Sequence, residues 1–237
     1  MTQSTTNSVA IVTGASRGFG RAVTAALLDL GWTVVGDARR ADDLETTARE
    51  LNSAGLIALP GDVTDAAHRA TLVGTATGAG RLRLLVNNAS RLGPSPQPVL
   101  GDYPETELQA VYQTNLFAPL ALIQATLPAL VENAGTIVNL TSDAAVEPYP
   151  GWGGYGSSKS ALDQLSAVLA AEAPAVPVYA FDPGDMRTEM HQAAFPGEDI
   201  SDRAEPESVV PALLRLLDTR PASGRYRAAE LMAGAAR

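Results

Sequence analysis

The two residues best suited to proton chemistry are Tyr155 and Lys159, which stand four residues apart. Side chains at this spacing share one face of a helix, so a helix would present the phenol and the ammonium group together. A free phenol titrates near ~10, and a cation beside it favours the phenolate, so we expect Tyr155 to exchange a proton nearer neutral pH. The same pair is also typical of a half-buried ring beside a solvated charge. The rest of the chain must decide between the two interpretations.

The residues that other common catalytic mechanisms require are absent or scarce in this chain. The sequence contains no cysteine, which excludes disulfides, thiolate zinc sites and cysteine nucleophiles. Its two histidines, His68 and His191, offer little to a histidine triad or a metal site, so we expect no metal. A net charge of −9 argues against nucleic acid as a partner, because phosphate binding requires cations.

A glycine-rich turn near the N-terminus is the second feature with chemical potential. The β-branched run from Val9 to Thr13 predicts a buried strand, and Gly14-Ala-Ser-Arg-Gly18-Phe-Gly20 leads from it into helically spaced apolar residues. Backbone amides in such a turn can approach a pyrophosphate at the helix N-terminus, where the helix dipole favours anions. The spacing is Gly-x-x-x-Gly-x-Gly rather than Gly-x-Gly-x-x-Gly, and a turn that only packs a strand on a helix remains an alternative.

The elements that must position these groups alternate between strand and helix along the chain. A helix is predicted to begin near Tyr155 and to end at Ala173 and Pro174. Strand patterns occupy 9–13, 32–36, 56–59, 82–86, 135–140 and 177–181, with a short seventh in 222–227, and further helical patterns occupy 22–30, 43–53 and 105–131. This alternation predicts an α/β fold with a doubly wound parallel sheet of the Rossmann type. We find no internal repeat or low-complexity linker, so residues 1–237 are expected to form a single domain.

Length and hydropathy favour a soluble protein. The chain has 237 residues, of which 46% are hydrophobic, enough for one large core. No charged leader precedes an apolar run, and two prolines and a glutamine interrupt the apolar region 116–131. We therefore expect a cytoplasmic protein with no membrane partner.

Several short motifs occur together in one order along the chain. They are Thr13-Gly14-x-x-x-Gly18-x-Gly20, Asp62-Val63, Asn87-Asn-Ala89, Asn115, Ser142, Tyr155-x-x-x-Lys159 and Pro183-Gly184-x-x-x-Thr188. In this order and spacing the chain resembles the short-chain dehydrogenase/reductase family from Val9 to about Thr188. Each motif is modest alone, but their joint occurrence favours the catalytic interpretation of Tyr155 and Lys159.

The resemblance implies a role for each motif residue. Ser142 orients the substrate oxygen, and Tyr155 delivers or removes its proton. Lys159 holds the nicotinamide ribose and lowers the Tyr155 pKa, while Asn115 anchors a water relay to solvent. The residues expected to contact the cofactor are Gly14, Ser16, Arg17, Gly18, Phe19, Gly20, Arg39, Asp62, Val63, Asn88, Ala89, Tyr155, Lys159, Pro183, Gly184, Met186 and Thr188.

The activity that the resemblance favours is NADPH-dependent reduction of a ketone or aldehyde to an alcohol, with Tyr155 as proton donor. Two alternatives remain open. The same site could serve alcohol oxidation, dehydration or epimerisation, or the chain could be a nucleotide sensor without turnover. A sensor needs only the dinucleotide half of the fold, so the joint presence of Asn115, Ser142, Tyr155 and Lys159 weighs against it.

Charge at the end of the second strand predicts which nicotinamide cofactor binds. NAD-dependent relatives usually carry an acidic residue there, which bonds the ribose 2′-hydroxyl and repels a 2′-phosphate. Ala38 takes that place here, and Asp37 should face away from the ribose because successive strand side chains alternate. Arg17 and Arg39 could converge on a 2′-phosphate, so we expect NADP(H) over NAD(H). A one-residue misalignment would place Asp37 at the ribose and reverse the preference.

Three regions are expected to shape the substrate site. Ser90 stands where the family commonly has glycine; it could narrow the pocket beside the cofactor without touching proton transfer, and the sequence leaves the direction of its effect open. The segment at about 185–205 has the composition of a mobile lid, although a solvated loop explains it equally well. The apolar residues near the site suggest an apolar ketone of small to medium size: Leu92, Val146, Tyr149, Trp152, Met186, Met190 and Phe195.

Two helices carry apolar residues on more than one face, at 105–131 and 157–173. Such a helix needs a second partner, from its own chain or from another subunit. We expect a homo-oligomer, a tetramer or a dimer.

Overall fold

A computed structural model describes residues 8–233 of the chain, so the predicted domain's residues 1–7 and 234–237 lie outside it. The strands are β1 (Ser8–Val12), β2 (Thr33–Ala38), β3 (Leu56–Pro60), β4 (Arg81–Asn87), β5 (Thr136–Leu140), β6 (Val178–Asp182) and β7 (Gly224–Arg227). The helices are α1 (Gly18–Asp29), α2 (Ala41–Leu51), α3 (Ala66–Ala79), α4 (Glu105–Tyr112), α5 (Ala118–Glu132), α6 (Gly153–Glu172), α7 (Glu189–Ala194), α8 (Pro206–Thr219) and α9 (Ala228–Ala233). The predicted alternation of strands and helices is confirmed.

The strands form a parallel sheet in the order β3-β2-β1-β4-β5-β6-β7. The order reverses at β1, where Val12 pairs with Gly36 of β2 on one side and with Val86 of β4 on the other. Ligands of open α/β sheets bind outside the carboxyl ends of the strands at this switch point. The predicted doubly wound Rossmann-type sheet is therefore confirmed, and its topology locates the site.

Helices bury both faces of the sheet. In β1, Ala10 and Val12 join the core beneath α1 and α8, while Val9 and Ile11 join the core beneath α3 and α5. All five β1 residues are buried, as expected for a parallel strand covered on both sides. Rigid packing on both faces holds the carboxyl edge of the sheet in place.

The predicted helix at 105–131 is continuous, but it contains a widened turn. A π-helical turn, Gln113–Phe117, joins α4 to α5, and Asn115 lies within it. Such turns are frequent at functional sites. Within residues 8–233, the stretch 105–132 is also long and apolar enough to cross a membrane, a test that a core helix of a soluble protein passes equally. This stretch packs beside α3 and β4.

Candidate active site

The glycine turn folds tightly between β1 and α1. Gly14 and Gly18 have φ angles of +68° and +53°, in the left-handed region that favours glycine. A Cβ on Gly20 would lie 2.2 Å from the Gly14 carbonyl oxygen, so no larger residue fits at that position. Since α1 begins at Gly18, its unpaired amides lie at the carboxyl edge of the sheet. The turn therefore has the shape and polarity that a pyrophosphate needs.

Asp37, at the end of β2, fixes this turn through a hydrogen bond. Its side chain is 1% exposed; Oδ1 accepts a hydrogen bond from the Gly14 amide at 2.9 Å, and Oδ2 lies 3.1 Å from Nε2 of His68. Burial raises the pKa of Asp37, although the bonds from His68 and Gly14 favour the carboxylate. Both oxygens are thus engaged within the protein, which agrees with the expectation that Asp37 does not read the ribose.

Thr13 fixes the loop that follows β4. Its hydroxyl oxygen accepts hydrogen bonds from the amides of Asn88, at 3.0 Å, and Ala89, at 2.9 Å. The Asn88 side chain in turn donates to the Thr13 carbonyl at 2.8 Å. These reciprocal bonds join the loops at the ends of β1 and β4, and so they define the position of the next residue, Ser90.

The arginines at the mouth of the cleft differ in their partners. Arg17 forms an ion pair with Glu189 on α7, and Arg40 lies 3.7 Å from the same carboxylate. Arg39 makes no ion pair with any other described residue. The expected convergence of Arg17 and Arg39 on a 2′-phosphate would require Arg17 to leave Glu189.

A cleft of about 790 Å³ runs along this edge of the sheet. Eleven of the predicted cofactor residues line it: Gly14, Ser16, Arg17, Gly18, Phe19, Arg39, Asp62, Val63, Asn88, Ala89 and Thr188. Pro183, Gly184, Met186 and Tyr155 line the smaller cavity that adjoins it. Gly20 and Lys159 line neither, since Gly20 packs behind the turn and Lys159 is buried under the sheet edge. The chain thus has the room and the donors for a dinucleotide along this edge.

Tyr155 and Lys159 lie on the first turns of α6, as predicted, and both are buried. Tyr155 is 9% exposed and Lys159 is 2% exposed. The Lys159 ammonium group donates to the Leu140 carbonyl at 2.7 Å and lies 5.5 Å from the centroid of the Tyr155 ring. The lysine is therefore close to the face of the ring, and it is held by the end of β5.

Burial dominates the protonation of both groups. It raises the pKa of Tyr155 to about 12, although the nearby hydroxyl groups of Ser90 and Ser142 favour the phenolate. Burial also lowers the pKa of Lys159 to about 8. The direction is opposite to the lowered Tyr155 pKa that the resemblance implies, because burial removes water from the phenol. At neutral pH the Tyr155 phenol is protonated.

Ser142 follows β5 and caps a short 3₁₀ turn, Asp143–Ala145. Its hydroxyl donates to the Asp143 carboxylate at 2.9 Å and accepts from the Ala144 amide at 3.2 Å. Ser142 and Tyr155 line the same small cavity. The capping role expected of Ser142 is confirmed, and its role in orienting a substrate oxygen stays a prediction, in which that oxygen would compete with Asp143 for the Ser142 hydrogen.

Asn115 joins the loop after β4 to α6. Its Nδ2 donates to the Arg91 carbonyl at 3.0 Å and to Ser158 Oγ at 2.9 Å, while its Oδ1 accepts from the Arg91 amide at 2.8 Å and from Ser90 Oγ at 3.2 Å. Ser158 Oγ donates in turn to the Tyr155 carbonyl at 2.6 Å. The Asn115 side chain thus bridges elements around the phenol, and the water relay that the resemblance assigns to this residue stays a prediction.

Arg225, on β7, is a residue that sequence reasoning missed. Its guanidinium group donates to the Ser142 carbonyl at 2.9 Å, and it forms ion pairs with Asp182 at 2.8 Å and with Asp163 at 3.1 Å. Asp163 lies on α6, one turn after Lys159. Arg225 therefore connects the ends of β5 and β6 to the helix that carries Tyr155, and no local pattern around 225 could have indicated this.

A cavity of about 110 Å³ lies above Tyr155 and Ser142. Four of the seven predicted apolar residues line it: Leu92, Trp152, Met186 and Met190. Phe195 packs on Trp152 instead, with ring centroids 5.8 Å apart. Val146 and Tyr149 are exposed, which limits the apolar character expected of the pocket. Asp143 and His191 also line the cavity, so part of its surface is polar.

The segment at 185–205 covers this cavity from one side. Its helix α7 places Met190, Ala193 and Ala194 against the cluster that contains Tyr155. The segment is closed on itself by a bridge between Met186 and Ala204. It therefore occupies the place of a lid, and its mobility stays a prediction.

The comparison with protein families decides the identity of the fold. A family model described as short chain dehydrogenase matches residues 8–199. The chain belongs to the short-chain dehydrogenase/reductase family. Members are NAD(P)-dependent oxidoreductases that act on small molecules. This chain is therefore an NAD(P)-dependent oxidoreductase as well.

Two relatives and two solved structures illustrate the similarity within the short-chain dehydrogenase/reductase family. Serine 3-dehydrogenase of Rhizobium radiobacter is 37% identical over 76% of this chain and 72% of its own length. Sepiapterin reductase of Meriones unguiculatus is 38% identical over 78% and 77%. A short chain dehydrogenase of Shigella flexneri complexed with NADP has a TM-score of 0.85, 29% identity and coverage of 94% and 97%. An alcohol dehydrogenase of Thermococcus sibiricus complexed with 5-hydroxy-NADP has a TM-score of 0.82, 27% identity and coverage of 93% and 95%.

Proposed function

We propose that this enzyme uses NADPH to reduce a ketone or aldehyde to an alcohol, with Tyr155 as the proton donor. The observation that carries the proposal is a phenol that lines the substrate cavity beside Ser142, with the Lys159 ammonium group 5.5 Å from the centroid of its ring. Such a group is protonated at neutral pH and can give a proton to an oxygen that gains charge. Reduction needs this donor, whereas oxidation needs a base at the same position.

The side chains around the cavity support the proton step. A carbonyl oxygen would accept a hydrogen bond from the Tyr155 hydroxyl and a second one from Ser142, once that hydroxyl turns away from Asp143. Both donors stabilise the oxygen more strongly as negative charge develops on it. NADPH, when bound, supplies the hydride to the carbonyl carbon. The phenol O–H bond then breaks and the alcohol O–H bond forms.

Lys159 is assigned to the phenolate that this step leaves behind. Its buried ammonium group lies close to the face of the Tyr155 ring, where a positive charge stabilises the ionised phenol. The Leu140 carbonyl keeps the ammonium group in this position. The second role implied by family resemblance, binding of the nicotinamide ribose, stays a prediction.

The reaction is tested by following the reduced-nicotinamide absorbance of NADPH with a panel of ketones and aldehydes. We expect turnover with carbonyl compounds small enough for the cavity above Tyr155. NADPH binding without turnover on any compound would contradict the proposal and favour a nucleotide sensor.

We also propose that NADPH binds more tightly than NADH. The supporting observations are Ala38 at the end of β2, the engaged carboxylate of Asp37 and the unpaired position of Arg39 in the cleft. The short chain dehydrogenase and the alcohol dehydrogenase described above were both solved with NADP or a derivative. One charge-assisted contact corresponds to a preference of about tenfold or more.

Calorimetric titration of both cofactors tests this preference. Arg39→Ala should weaken NADPH binding about tenfold and leave NADH binding unchanged, because only NADPH carries the 2′-phosphate. Equal affinities in the unaltered enzyme, or tighter binding of NADH, would show that the β2 end reads the ribose hydroxyl instead.

Alcohol oxidation is the second candidate. It is favoured by the similarity to a protein named serine 3-dehydrogenase, 37% identical to this chain. The same residues would then act in reverse, with ionised Tyr155 as the base. Initial rates in both directions under matched conditions distinguish the candidates, since oxidation should need a markedly higher pH.

We further propose a homo-oligomer that forms through α4–α5 and α6. Phe117, beside the start of α5, is 48% exposed, and Val168 on α6 is 44% exposed. Members of the family often oligomerise, and these helices offer apolar side chains to a second copy. Light scattering at micromolar concentration tests this proposal, and a monomer mass would contradict it.

A further inference from the structure

The cavity above Tyr155 and Ser142 has an acidic lining. Besides Tyr155, its charged or titratable residues are three aspartates and one histidine: Asp143, Asp182, Asp185 and His191. Within residues 8–233, no lysine or arginine lines the same cavity. A charge at a cavity wall is screened less than a charge in bulk water, so an aspartate without a cationic partner influences which substrate binds. The partners of each aspartate therefore decide the charge that a substrate meets.

Two of the three aspartates have arginine partners that do not line the cavity. Asp182 pairs with two arginines of β7, of which the nearer, Arg225, lies at 2.8 Å. Asp185 lies 3.6 Å from the guanidinium group of Arg203, which also donates to Nε2 of His191 at 3.4 Å. The charges of Asp182 and Asp185 are therefore balanced, wholly or in part, within the protein.

Asp143 differs from these two aspartates in having only neutral donors. Its Oδ1 accepts from the Ser142 hydroxyl at 2.9 Å and from the Ala144 amide at 2.8 Å, and its Oδ2 accepts from the Tyr149 hydroxyl at 3.1 Å. No ion pair joins Asp143 to another residue of the described chain. The ammonium group of Lys159 is bonded to a backbone carbonyl of β5 instead. Asp143 thus presents an unbalanced negative charge to the cavity.

The geometry of Asp143 and Ser142 fits two groups of one substrate. Asp143 Oδ1 and Ser142 Oγ lie 2.9 Å apart. A hydrogen bond from an ammonium group to Oδ1, and one from Ser142 to a carbonyl oxygen, would each be about 2.7 to 3.0 Å long. Two such bonds side by side place the ammonium nitrogen and the carbonyl oxygen about 3 Å apart. An amino group on the carbon next to a carbonyl group has this separation.

An ammonium group at Asp143 would also free the Ser142 hydroxyl. In the structure that hydroxyl donates to Asp143 Oδ1, so a neutral ketone must compete for its hydrogen. A charged donor forms a stronger hydrogen bond to a carboxylate than a neutral hydroxyl does. Asp143 would then keep three donors, which are the ammonium group, the Ala144 amide and the Tyr149 hydroxyl. The Ser142 hydroxyl could turn to the carbonyl oxygen without leaving the carboxylate short of partners.

We propose that Asp143 determines substrate specificity by binding a protonated amino group, so that the enzyme prefers α-amino ketones or α-amino aldehydes and forms 1,2-amino alcohols. This inference rests on the proposed function, in which NADPH supplies the hydride and Tyr155 the proton. The amino group gains and loses no proton or electron in the reaction. A substrate carboxylate in the same place is repelled by Asp143. The apolar ketone expected from the sequence is thereby replaced by a ketone with one positively charged substituent.

The kinetic test uses three methyl ketones that differ in one group. 1-Aminopropan-2-one, 1-hydroxypropan-2-one and acetoacetate carry an ammonium, a hydroxyl and a carboxylate group on the same CH3–CO–CH2 unit. With saturating NADPH at pH 7, kcat/KM for the amino ketone should exceed that for the hydroxy ketone at least about tenfold, and acetoacetate should be the poorest substrate. Equal or higher kcat/KM for the hydroxy ketone overturns the inference, whereas its turnover still supports the proposed reduction.

Two charge-removing variants locate the preference. Asp143→Asn keeps an acceptor for the Ala144 amide but removes the charge, so the ratio of kcat/KM between the amino and hydroxy ketones should fall to within about twofold of one. The ratio is the readout because Asp143 contacts Ser142, so its replacement also alters the rate with every substrate. Glu147→Gln makes the same charge change on an exposed side chain outside the cavity, and it should keep the ratio. An unchanged ratio in Asp143→Asn, or an equal loss in Glu147→Gln, overturns the assignment.

Binding without turnover separates this inference from the proposed function. The complex with NADPH is titrated calorimetrically with 1-aminopropan-2-ol and with propane-1,2-diol, neither of which NADPH can reduce. The amino alcohol should bind at least about tenfold more tightly, and this difference should disappear in Asp143→Asn but persist in Tyr155→Phe. Equal or undetectable binding of the two alcohols overturns the inference. Tighter binding of the amino alcohol with no reduction of any ketone supports the charge preference and contradicts only the proposed reaction.

Discussion

Each half of the cleft is built on a buried aspartate that holds the amide of a glycine, and the two aspartates have different partners. In the cofactor half, Asp37 accepts from the Gly14 amide and pairs with a single imidazole, that of His68. In the substrate half, Asp182 accepts from the Gly184 amide at 3.0 Å and pairs with the guanidinium groups of Arg225 and Arg227. The same carboxylate-to-glycine bond is therefore supported by one imidazole in one half and by two guanidinium groups in the other.

This difference predicts how each half responds to a change of pH and to the loss of an ionic partner. In the cofactor half, burial raises the pKa of the Asp37 carboxyl, which has a single imidazole as its ionic partner. We expect the stability of the half that contains the glycine turn to depend on pH. We expect the stability of the half that contains Ser142 and Tyr155 to depend little on pH, but to fall when an arginine partner of Asp182 is removed. The catalytic phenol lies where the two halves meet.

The largest effect is expected from removal of the Tyr155 hydroxyl, which leaves both buried aspartates and their partners unchanged. Tyr155→Phe keeps the ring and both aspartate pairs but removes the hydroxyl, so kcat should fall by roughly 10²–10⁴. NADPH affinity should stay within about twofold, since the hydroxyl is not needed for the dinucleotide. Steady-state rates and calorimetric titration measure the two quantities. Turnover at the normal rate would remove Tyr155 from its proposed role.

Removal of the Arg225 guanidinium group is expected to destabilise the substrate half. Arg225→Met leaves Asp163 without its ion pair and removes the donor to the Ser142 carbonyl. We expect the free energy of unfolding to fall by about 2 to 4 kcal/mol, with a lower kcat. Urea denaturation at pH 7 measures the change. Arg227→Met is the matched control, because Arg227 is 48% exposed and should contribute less than about 1 kcal/mol. Equal losses in the two variants would contradict the importance of the Arg225 network.

The pH response of the cofactor half is tested with Asp37→Asn, which keeps an acceptor for the Gly14 amide. Burial raises the pKa of Asp37 above its ordinary value of 3.8, so the folded protein binds the proton more tightly than the unfolded chain. The stability of the unaltered enzyme relative to the variant should therefore be greatest near pH 4. It should fall as pH rises toward the folded-state pKa and stay level above that.

Urea denaturation of both proteins between pH 4 and pH 8 measures this difference. If the relative stability of the unaltered enzyme rises with pH instead, the ion pair with His68 outweighs the cost of burying the Asp37 charge. The expected direction of the pH response in the cofactor half would then be wrong.

The smallest expected effect concerns the exposed arginines of the cofactor half. Glu189→Gln removes the carboxylate that pairs with Arg17, so Arg17 becomes available to a 2′-phosphate. An exposed ion pair is worth about 0.2 to 1 kcal/mol, so NADPH should bind about 1.5- to 5-fold more tightly. Glu132→Gln makes the same charge change at the end of α5, and it should not alter binding. Tightening in both variants would indicate net charge rather than Arg17.

Local patterns determined a large part of this protein. The glycine turn, the strand and helix alternation, and the placement of Tyr155 and Lys159 at the start of one helix all follow from neighbours within a few residues. Alternation of strand and helix is enough to predict a parallel sheet, and the sheet in turn brings strand ends to one edge. For this reason Ser142 and Tyr155 could be expected to meet before any coordinates were known.

Tertiary structure alone decided how these groups behave. The Tyr155 pKa rises because burial removes water from the phenol, and burial depends on every element packed around it. The contact of Asn115 with Ser158, and that of Arg225 with Asp182, join residues that are far apart in sequence. Helical and strand periodicities carry no information about such distant pairs, so sequence could name Tyr155 and Ser142 but not the protonation state or the frame that holds them.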